Sequence, residues 1–492
     1  MRRLTIILAA LCALAAFTAR AVRSITLDEA ISMARARSVN AAMAANELRA
    51  AYWEYRTFRA DLLPEVSFQA TIPSFNKRYN AYQREDGSYT FLRDDNVMVN
   101  GSLNIEQRIW LTGGTVSLTS SLDFVRQLGD DATNRFMSVP VALRLNQPVF
   151  GVNDVKWKRR IEPVRYKEAR ANYISDTEEV AMQAINLFFA LLSARETRAS
   201  AAQNVANAEK LYEAAKVKRG MGRISENDLL QIELNLLNSR SDLTAGESLV
   251  RSCMFQLRSF LDIADDEELV PVVPGSAPLA DIVYADALDR ALDNNSLVLN
   301  TRRRQLEADY EVAKARGAQR EINLFAQIGY TGADRTVADS YRGLRANQVV
   351  EVGVSIPLVD WGKRKGRVKT AQSQAALMRE QVRKEQQDFR QNLFVLVEKF
   401  NNQRGQLDLA TRADEIATRR YDSSVETFLI GKLSALDLND SQENKDSARS
   451  KYLNELFYYW YYYYQLRSLT LWDYATGSPI EADFDAVIRD NR

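Results

Sequence analysis

The sequence predicts a mixed architecture in which very long antiparallel helical hairpins are joined to membrane β-strands, the whole laid out as an internal two-fold repeat. Three observations predict it. Short motifs recur in the same order at the same spacing in the two halves of the chain; two runs keep helical periodicity far beyond the length of an ordinary helix; and six segments alternate strictly between apolar and polar residues.

Residues 1–21 read as a secretory signal. Arg2 and Arg3 precede an apolar stretch from Leu4 to Phe17, and Ala19-Arg20-Ala21 gives a small-x-small cleavage pattern, so the exported chain is expected to begin at Val22. The apolar stretch is shorter than the ~20 residues needed to span a bilayer. Cys12 lies within this signal and follows Leu11 where a lipidation motif would need a small residue, which leaves Cys253 alone in the exported chain and rules out an internal disulfide framework.

The first repeat is expected over 22–268. It opens with "LDEAISMARARS" (27–38), which resembles "YADALDRALDNNS" (284–296) in the second repeat, expected over 281–474. A Pro-rich linker, 269–280, joins the halves, and 475–492 forms a C-terminal tail. "LNQPVFGVNDVKWKRR" (145–160) resembles "SIPLVDWGKRKGR" (355–367), and "GMGRISENDLL" (220–230) resembles "LIGKLSALDLN" (429–439). Pro148 to Gly222 covers the same number of residues as Pro357 to Gly431, which implies a rigid part that tolerates no slippage. The first half carries about 48 extra residues, all upstream of Pro148.

Strands are expected at about 64–149 and 322–358. Val66, Phe68, Ala70, Ile72; Leu103, Ile105, Ile109; Val116, Leu118, Leu122, Phe124; Val139, Val141, Leu143, Leu145; Ile322, Leu324, Ala326, Ile328, Tyr330; and Val350, Val352, Val354, Ile356, Leu358 all fall on alternate positions. Each segment has the length of a tilted membrane strand with one face in lipid and one in water. Segments 73–96, 126–137 and 332–347 read as long polar loops and "LTGG" (111–114) as a tight turn, the asymmetry of an outer-membrane barrel.

Long helical hairpins are expected over 153–262 and 362–472. Phe389, Leu393, Leu396, Phe400 and Leu407 recur at helical spacing, and Leu229, Leu236, Leu243, Val250 and Leu257 recur every seventh residue, as in a coiled-coil seam. Each long helix, roughly 100 Å at ~1.5 Å per residue, should break at Gly222 or Gly431 and restart behind Ser225 or Ser434 as N-caps.

Signal, repeat, strand pairs feeding helical hairpins, and the two Gly-x-x-Ser-x-x-Asp-Leu turns together make this chain similar to the TolC-like family of outer-membrane efflux and secretion channels. The resemblance implies a homotrimer in the outer membrane with a periplasmic extension. Its hairpins would form an α-barrel tunnel joined to one shared trimeric β-barrel in outer-membrane lipid. It also implies a periplasmic membrane-fusion adaptor and an inner-membrane RND or ABC transporter as partners. Asp437, Asp440 and Asp228 match the places of a periplasmic gate or constriction whose carboxylates attract cations and repel anions. An Asp in the first turn of a helix is also favoured by the helix dipole alone. The positions of a family Arg and Tyr that help lock the closed state carry Leu433 and Phe428 here. Gly220, Gly222, Ser225, Gly431 and Ser434 match the turns that contact the adaptor, and the basic clusters Lys156–Arg160 and Lys363–Arg367 would lie just below the membrane. The family's usual four strands per chain leave an additional pair around "IWLTGGTVSL", expected to join the barrel and give 18 strands per trimer.

The row Phe457, Tyr458, Tyr459, Trp460, Tyr461, Tyr462, Tyr463, Tyr464 invites reading as a membrane-interface belt. Counted from the Gly431 turn, however, it lies only roughly 35 Å up a helix of ~1.5 Å rise, far short of the barrel. Consecutive aromatics cover every face of a helix, so the row reads as an aromatic packing collar, enclosed on all sides, and a subunit contact.

Composition narrows the function. Lys and Arg total 65 against 64 for Asp and Glu, a formal charge of +1, so nothing calls for nucleic acid. Histidine is absent, which removes the commonest general base and metal ligand; no metal, no cofactor and no enzyme activity are expected. The alternative architecture is a periplasmic coiled-coil adaptor or scaffold without a membrane barrel. Two hairpins of equal length, each reached from strand pairs, favour the channel.

Overall fold

The computed structural model describes residues 22–128, 132–264, 267–276, 280–319, 322–354, 359–429 and 432–489. The signal segment 1–21, Gly431, Ile356 and Leu358 lie outside these, as do the side chains of Phe428 and Leu429. The chain divides into two compact units: residues 50–168 with 299–385 form one, and 22–49, 169–298 and 386–489 lie in the other.

The first of these contains a single six-stranded antiparallel sheet. Its strands are β2 (Glu65–Gln83), β3 (Tyr89–Arg108), β4 (Thr115–Gln127), β5 (Asn134–Val149), β7 (Ile322–Asp334) and β8 (Arg345–Val354), in spatial order β2-β3-β4-β5-β7-β8. The earlier strand β1 (Val22–Ile25) and β6 (Glu268–Pro271) pair with each other in parallel in the other unit. The predicted linker thus begins as strand.

The register aligns the apolar positions of successive strands. Phe68 pairs with Leu103, Val66 with Ile105, Ile105 with Leu118, Leu118 with Leu143, Leu143 with Ile328, and Ala326 with Val350. One face of the whole sheet is therefore apolar. It is also uncovered: Phe68, Ile72 and Val350 expose 72%, 75% and 74% of their surface. On the opposite face Ser67 pairs with Asn104, Asn104 with Thr119, Thr119 with Ala142, and Ser117 with Arg144. Across that polar face the Thr119 hydroxyl donates to Asn104 Oδ1 at 2.8 Å, and Asn100 donates to Asp123. Gly101 leaves room on the apolar face for the Phe68 ring, 3.8 Å from where its Cβ would stand.

Two expectations about loops are corrected. Segment 73–96 is not a polar loop; β2 and β3 run through it as a paired ribbon from Ser74↔Met98 to Gln83↔Tyr89, closed by a turn at 84–88 with Gly87 at φ +80°. Its polar residues conceal a period of two, with Phe75, Tyr79, Tyr89 and Phe91 on one face, and oppositely charged Lys77 and Asp95 face each other across the pair. Likewise 126–127 and 134–137 are strand. The strands run 10 to 20 residues, longer at the upper end than the sequence suggests. The tight turn after β3 is as expected: Ile109 N–H donates to the Gly114 carbonyl at 2.7 Å, and Gly113 takes φ +77°.

Helices flank the strands in order: α1 (Leu27–Arg37), α2 (Val39–Ala60), α3 (Asp154–Gly220), α4 (Glu226–Leu261), α5 (Tyr284–Asn294), α6 (Ser296–Gly317), α7 (Val337–Ser340), α8 (Lys363–Leu429), α9 (Ala435–Thr470) and α10 (Phe484–Arg489). The two long helices have 67 residues each, their partners 36 each, and the short pairs 11 and 22 each. Pro163 is accommodated inside α3. Beside the sheet, Arg303 on α6 donates to Glu168 of α3 at 2.6 Å, and its neighbour Arg304 donates to Glu385 of α8 at 2.7 Å. Adjacent arginines thus bind one short helix to both long ones.

In the helical unit, the core gathers Ile185, Phe188 and Leu191 of α3, Leu257 and Leu261 of α4, Leu393 and Phe400 of α8, and Leu456 and Tyr459 of α9. Among the described residues, no helix is long and apolar enough to cross a membrane.

Candidate functional site

Three places carry the candidate residues: the two inter-helix turns, the aromatic row and the faces of the sheet. At the first turn, Gly222 N–H donates to the Arg219 carbonyl at 2.9 Å and Arg223 N–H to Lys218 at 2.9 Å, with Gly222 at φ +70°. This is the paired closure of a Schellman end, and only glycine takes that φ without strain. Gly220 is the last residue of α3 and stands in open space. Ser225 then caps α4: its Oγ accepts from Asp228 N–H at 3.1 Å while Asp228 Oδ2 accepts from Ser225 N–H at 3.0 Å, a complete capping box. The Ser225 hydroxyl and backbone hydrogen bonds hold the Asp228 carboxyl below the usual range.

The second turn repeats the design. Lys432 N–H donates to the Thr427 carbonyl at 3.1 Å, the same long closing bond around the position of Gly431. Ser434 Oγ accepts from Asp437 N–H at 3.1 Å and donates to Asp437 Oδ2 at 2.6 Å. Asp440, one turn further, accepts from Arg420 at 2.7 Å and so bridges α9 to α8. Asp228, Asp437 and Asp440 are all exposed to solvent and already serve capping or pairing. Around the turns Val217, Met221, Leu230, Leu234 and Leu436 are exposed apolar side chains.

The aromatic row lies in the C-terminal half of α9. Tyr459 is 1% exposed and its ring meets Phe400 of α8 at 5.6 Å; Tyr463 meets the same ring at 6.4 Å. Phe457 packs edge-on against Phe189 of α3 at 5.7 Å. Tyr464 is buried, whereas Tyr458, stacked on Tyr462, remains 37% exposed, and Trp460, Tyr461 and Tyr462 are half-buried. Within one chain the row is therefore closed on one side and open on the other, not enclosed all round. Burial raises the pKa of Tyr459, Tyr463 and Tyr464.

Sequence reading missed what the row leads into. Arg467, one helical turn beyond Tyr463 and Tyr464, donates to Glu178 at 2.9 Å and to Asp473 at 2.6 Å, and Tyr463 Oη donates to Asp473 at 2.5 Å. Glu178 is 1% exposed on its side chain and is also held by Arg35 at 2.5 Å. Burial works against the Arg467 charge, but the Glu178 hydrogen bond and field outweigh it and the pKa rises. The signal was present: a Glu inside the apolar stripe of α3 and an Arg closing an aromatic run both demand a buried partner.

Among the described residues no group of carboxylates, cysteines or histidines is arranged to hold a metal. Nothing in the two turns or the row makes a nucleophile and base pair.

Comparison with known proteins bears on this geometry. The Campylobacter jejuni CmeC outer membrane channel superposes with a TM-score of 0.66 at 15% identity, covering 94% of this chain and 88% of that one. The fold is that of the outer-membrane channels. The Vibrio cholerae outer membrane protein VceC aligns at TM-score 0.62 and 13% identity, over 92% of this chain and 97% of that one. The open state of the Neisseria gonorrhoeae MtrE channel aligns at TM-score 0.54 and 14% identity, over 93% and 90%. Residues 287–456 match the model of the outer membrane efflux protein family. That stretch runs from α5 to the residue before the aromatic row. No curated protein sequence matches. The resemblance read from the sequence is borne out in the fold and in the family match over residues 287–456.

Proposed function

We propose that this chain is the trimeric outer-membrane exit duct of a tripartite efflux pump or a type I secretion system. It is a passive conduit, opened by a periplasmic adaptor and driven by an inner-membrane RND or ABC transporter. The observation that carries this reading is the sheet: six aligned strands with one bare apolar face, one polar face and two unpaired edges suit lipid outside and water inside. A periplasmic scaffold would have to cover that face with its own chain. Equal helix lengths in the two hairpins support an internal duplication, with 22–268 and 281–474 as its halves.

In this reading the exposed turns around Gly220, Gly222, Ser225, Gly431 and Ser434 are the adaptor contacts, and the open side of the aromatic row faces a neighbouring copy. Asp437, Asp440 and Asp228 from three copies ring the periplasmic mouth. Fractionation tests the duct itself: a heat-modifiable trimer in the outer membrane is expected, and a water-soluble monomer would refute it. For the ring, Asp437→Ala with Asp440→Ala should abolish divalent-cation block of single-channel current; undiminished block removes the assignment.

A further inference from the structure

Strands β3 and β4 take the second and third places in the sheet, between β2 and β5, so their place decides how wide the passage through the membrane is. Each continues both surfaces of its neighbours. On the apolar side Leu103, Ile105, Leu118 and Leu122 extend the row that runs from Phe68 in β2 to Ile328 in β7. On the polar side Asn104 and Thr119 hydrogen-bond across the two strands, next to Ser102 and Ser117. No other described element covers either face of this pair. At its lower end the pair is anchored by Asn153, whose Nδ2 donates to the carbonyls of Trp110 and Leu111 at 2.9 and 3.0 Å while its Oδ1 caps α3 through Lys156 N–H at 2.9 Å.

Closure sets the count. Among the described residues β2 pairs only with β3, and β8 only with β7, so both outer edges present unpaired backbone groups. In lipid each such group costs several kcal/mol, which excludes an open sheet. Six strands are too few to close on themselves, since about eight already leave a bore filled with side chains. A second copy must supply the missing edge. Because the sheet has an even number of antiparallel strands, β8 of one copy meets β2 of the next antiparallel, and the same junction repeats around the ring.

We propose that β3 and β4 are part of the barrel wall, so that each copy contributes six strands and three copies close an eighteen-stranded portal with Ser102, Asn104, Ser117 and Thr119 facing its lumen. The proposal rests on the exit-duct reading above. Barrels of about 16–18 strands enclose an aqueous channel, so the portal passes hydrated cargo with little selection of its own. The constriction that controls traffic then lies in the helices.

Cysteine substitutions in a Cys253→Ala background test it, using the full-length protein in planar bilayers with a charged, membrane-impermeant methanethiosulfonate. Thr119→Cys and Ser102→Cys should each give a stepwise fall in single-channel current on modification, as should Asn146→Cys on β5, which faces the lumen however β3 and β4 are placed. Cysteines at Ser67, Gln69 or Thr71 of β2 should form disulfides with cysteines at Asn347 or Val349 of β8 in a neighbouring copy, giving a covalent trimer. If Asn146→Cys responds while Thr119→Cys and Ser102→Cys stay silent, a pore exists but β3 and β4 lie outside its wall, and this proposal alone is overturned. If no pore or trimer forms even from the Cys253→Ala parent, the duct reading fails and takes the proposal with it.

Discussion

The hairpin formed by α3 and α4 and the one formed by α8 and α9 have the same lengths, the same turn closure and the same serine caps, yet they are packed by opposite means. In the first, Gly246 brings α4 against the backbone of α3: a Cβ at this position would stand 3.3 Å from Arg198 Cα. In the second, Tyr459 and Tyr463 hold α9 against α8 through the ring of Phe400. Both 36-residue helices end in a residue with positive φ, Asp262 at 53° and Leu471 at 49°. The comparison teaches that helix length and end geometry are fixed by backbone constraints common to both hairpins, whereas side chains decide how closely the helices approach.

The largest expected effect breaks the aromatic side of that comparison. Tyr459→Ala should cost ~3–5 kcal/mol, the range for removing a buried ring, whereas Val250→Ala at the same place in α4 should cost only about 1 kcal/mol because Val250 is half-buried. Denaturation midpoints of the detergent-solubilised protein measure both; equal losses would show that the ring is no special anchor.

Gly246→Val attacks the close approach instead and should cost ~1–3 kcal/mol by overpacking. The midpoint should fall further than for Gly246→Ala, since the smaller side chain needs only a few tenths of an ångström from Arg198.

A third difference lies in charge. At the same place in the two long helices stand Asp176 and Glu385. Glu385 accepts two hydrogen bonds from Arg304, at 3.1 and 2.7 Å. Asp176 has instead been pushed up to about 6, first by burial and then by Glu47 and Glu179. Its folded pKa lies above the ordinary 3.8, so the folded chain takes up this proton first and loses stability as pH rises from about 3.8 to 6. Asp176→Asn should therefore raise the midpoint at pH 8, by about 1 kcal/mol once solvent screening of this half-exposed group is allowed for. At pH 3.5 the gain should vanish; a gain independent of pH would place its origin elsewhere.

The smallest effect sharpens what the hairpins share. Ser225→Ala and Ser434→Ala should each cost ~0.5–1 kcal/mol. The two should cost about the same, because Ser225→Ala keeps the backbone N–H that Asp228 accepts from, and each variant loses one hydroxyl bond to an Asp N–H. Helicity loss localised to the turn by hydrogen exchange would verify each.

Much of this architecture was legible in advance. Gly222 and Ser225 mark one hairpin turn because each performs a task few residues can, and Leu236 and Leu257 of the seven-residue series are buried as a seam requires. The strands were legible where alternation pairs apolar with polar residues, as at Val66, Phe68 and Ile72. The ribbon over 74–98 was not, because Lys77, Arg78 and Asn80 resemble loop residues until their partners across the strand are known. Neither was the Glu178–Arg467 pair, which joins residues far apart in sequence and on different helices. A spacing of three puts Asp437 and Asp440 on a common helix face, but that one is engaged by Ser434 and the other by Arg420 emerges only from the structure.

The two long helices also begin differently. The Asp360 carboxylate ahead of α8 accepts from the Gly362 and Arg364 N–H groups of its own segment, and the Arg364 guanidinium donates to the Gln319 carbonyl at 3.0 Å. Asn153 ahead of α3 spends one side of its amide on the helix and the other on the turn at Trp110 and Leu111. Torque applied to α3 is thus delivered into the tip of the β3–β4 turn, while α8 is tied through Arg364 to the stretch just ahead of β7, so the two helices are geared to different strands of the sheet.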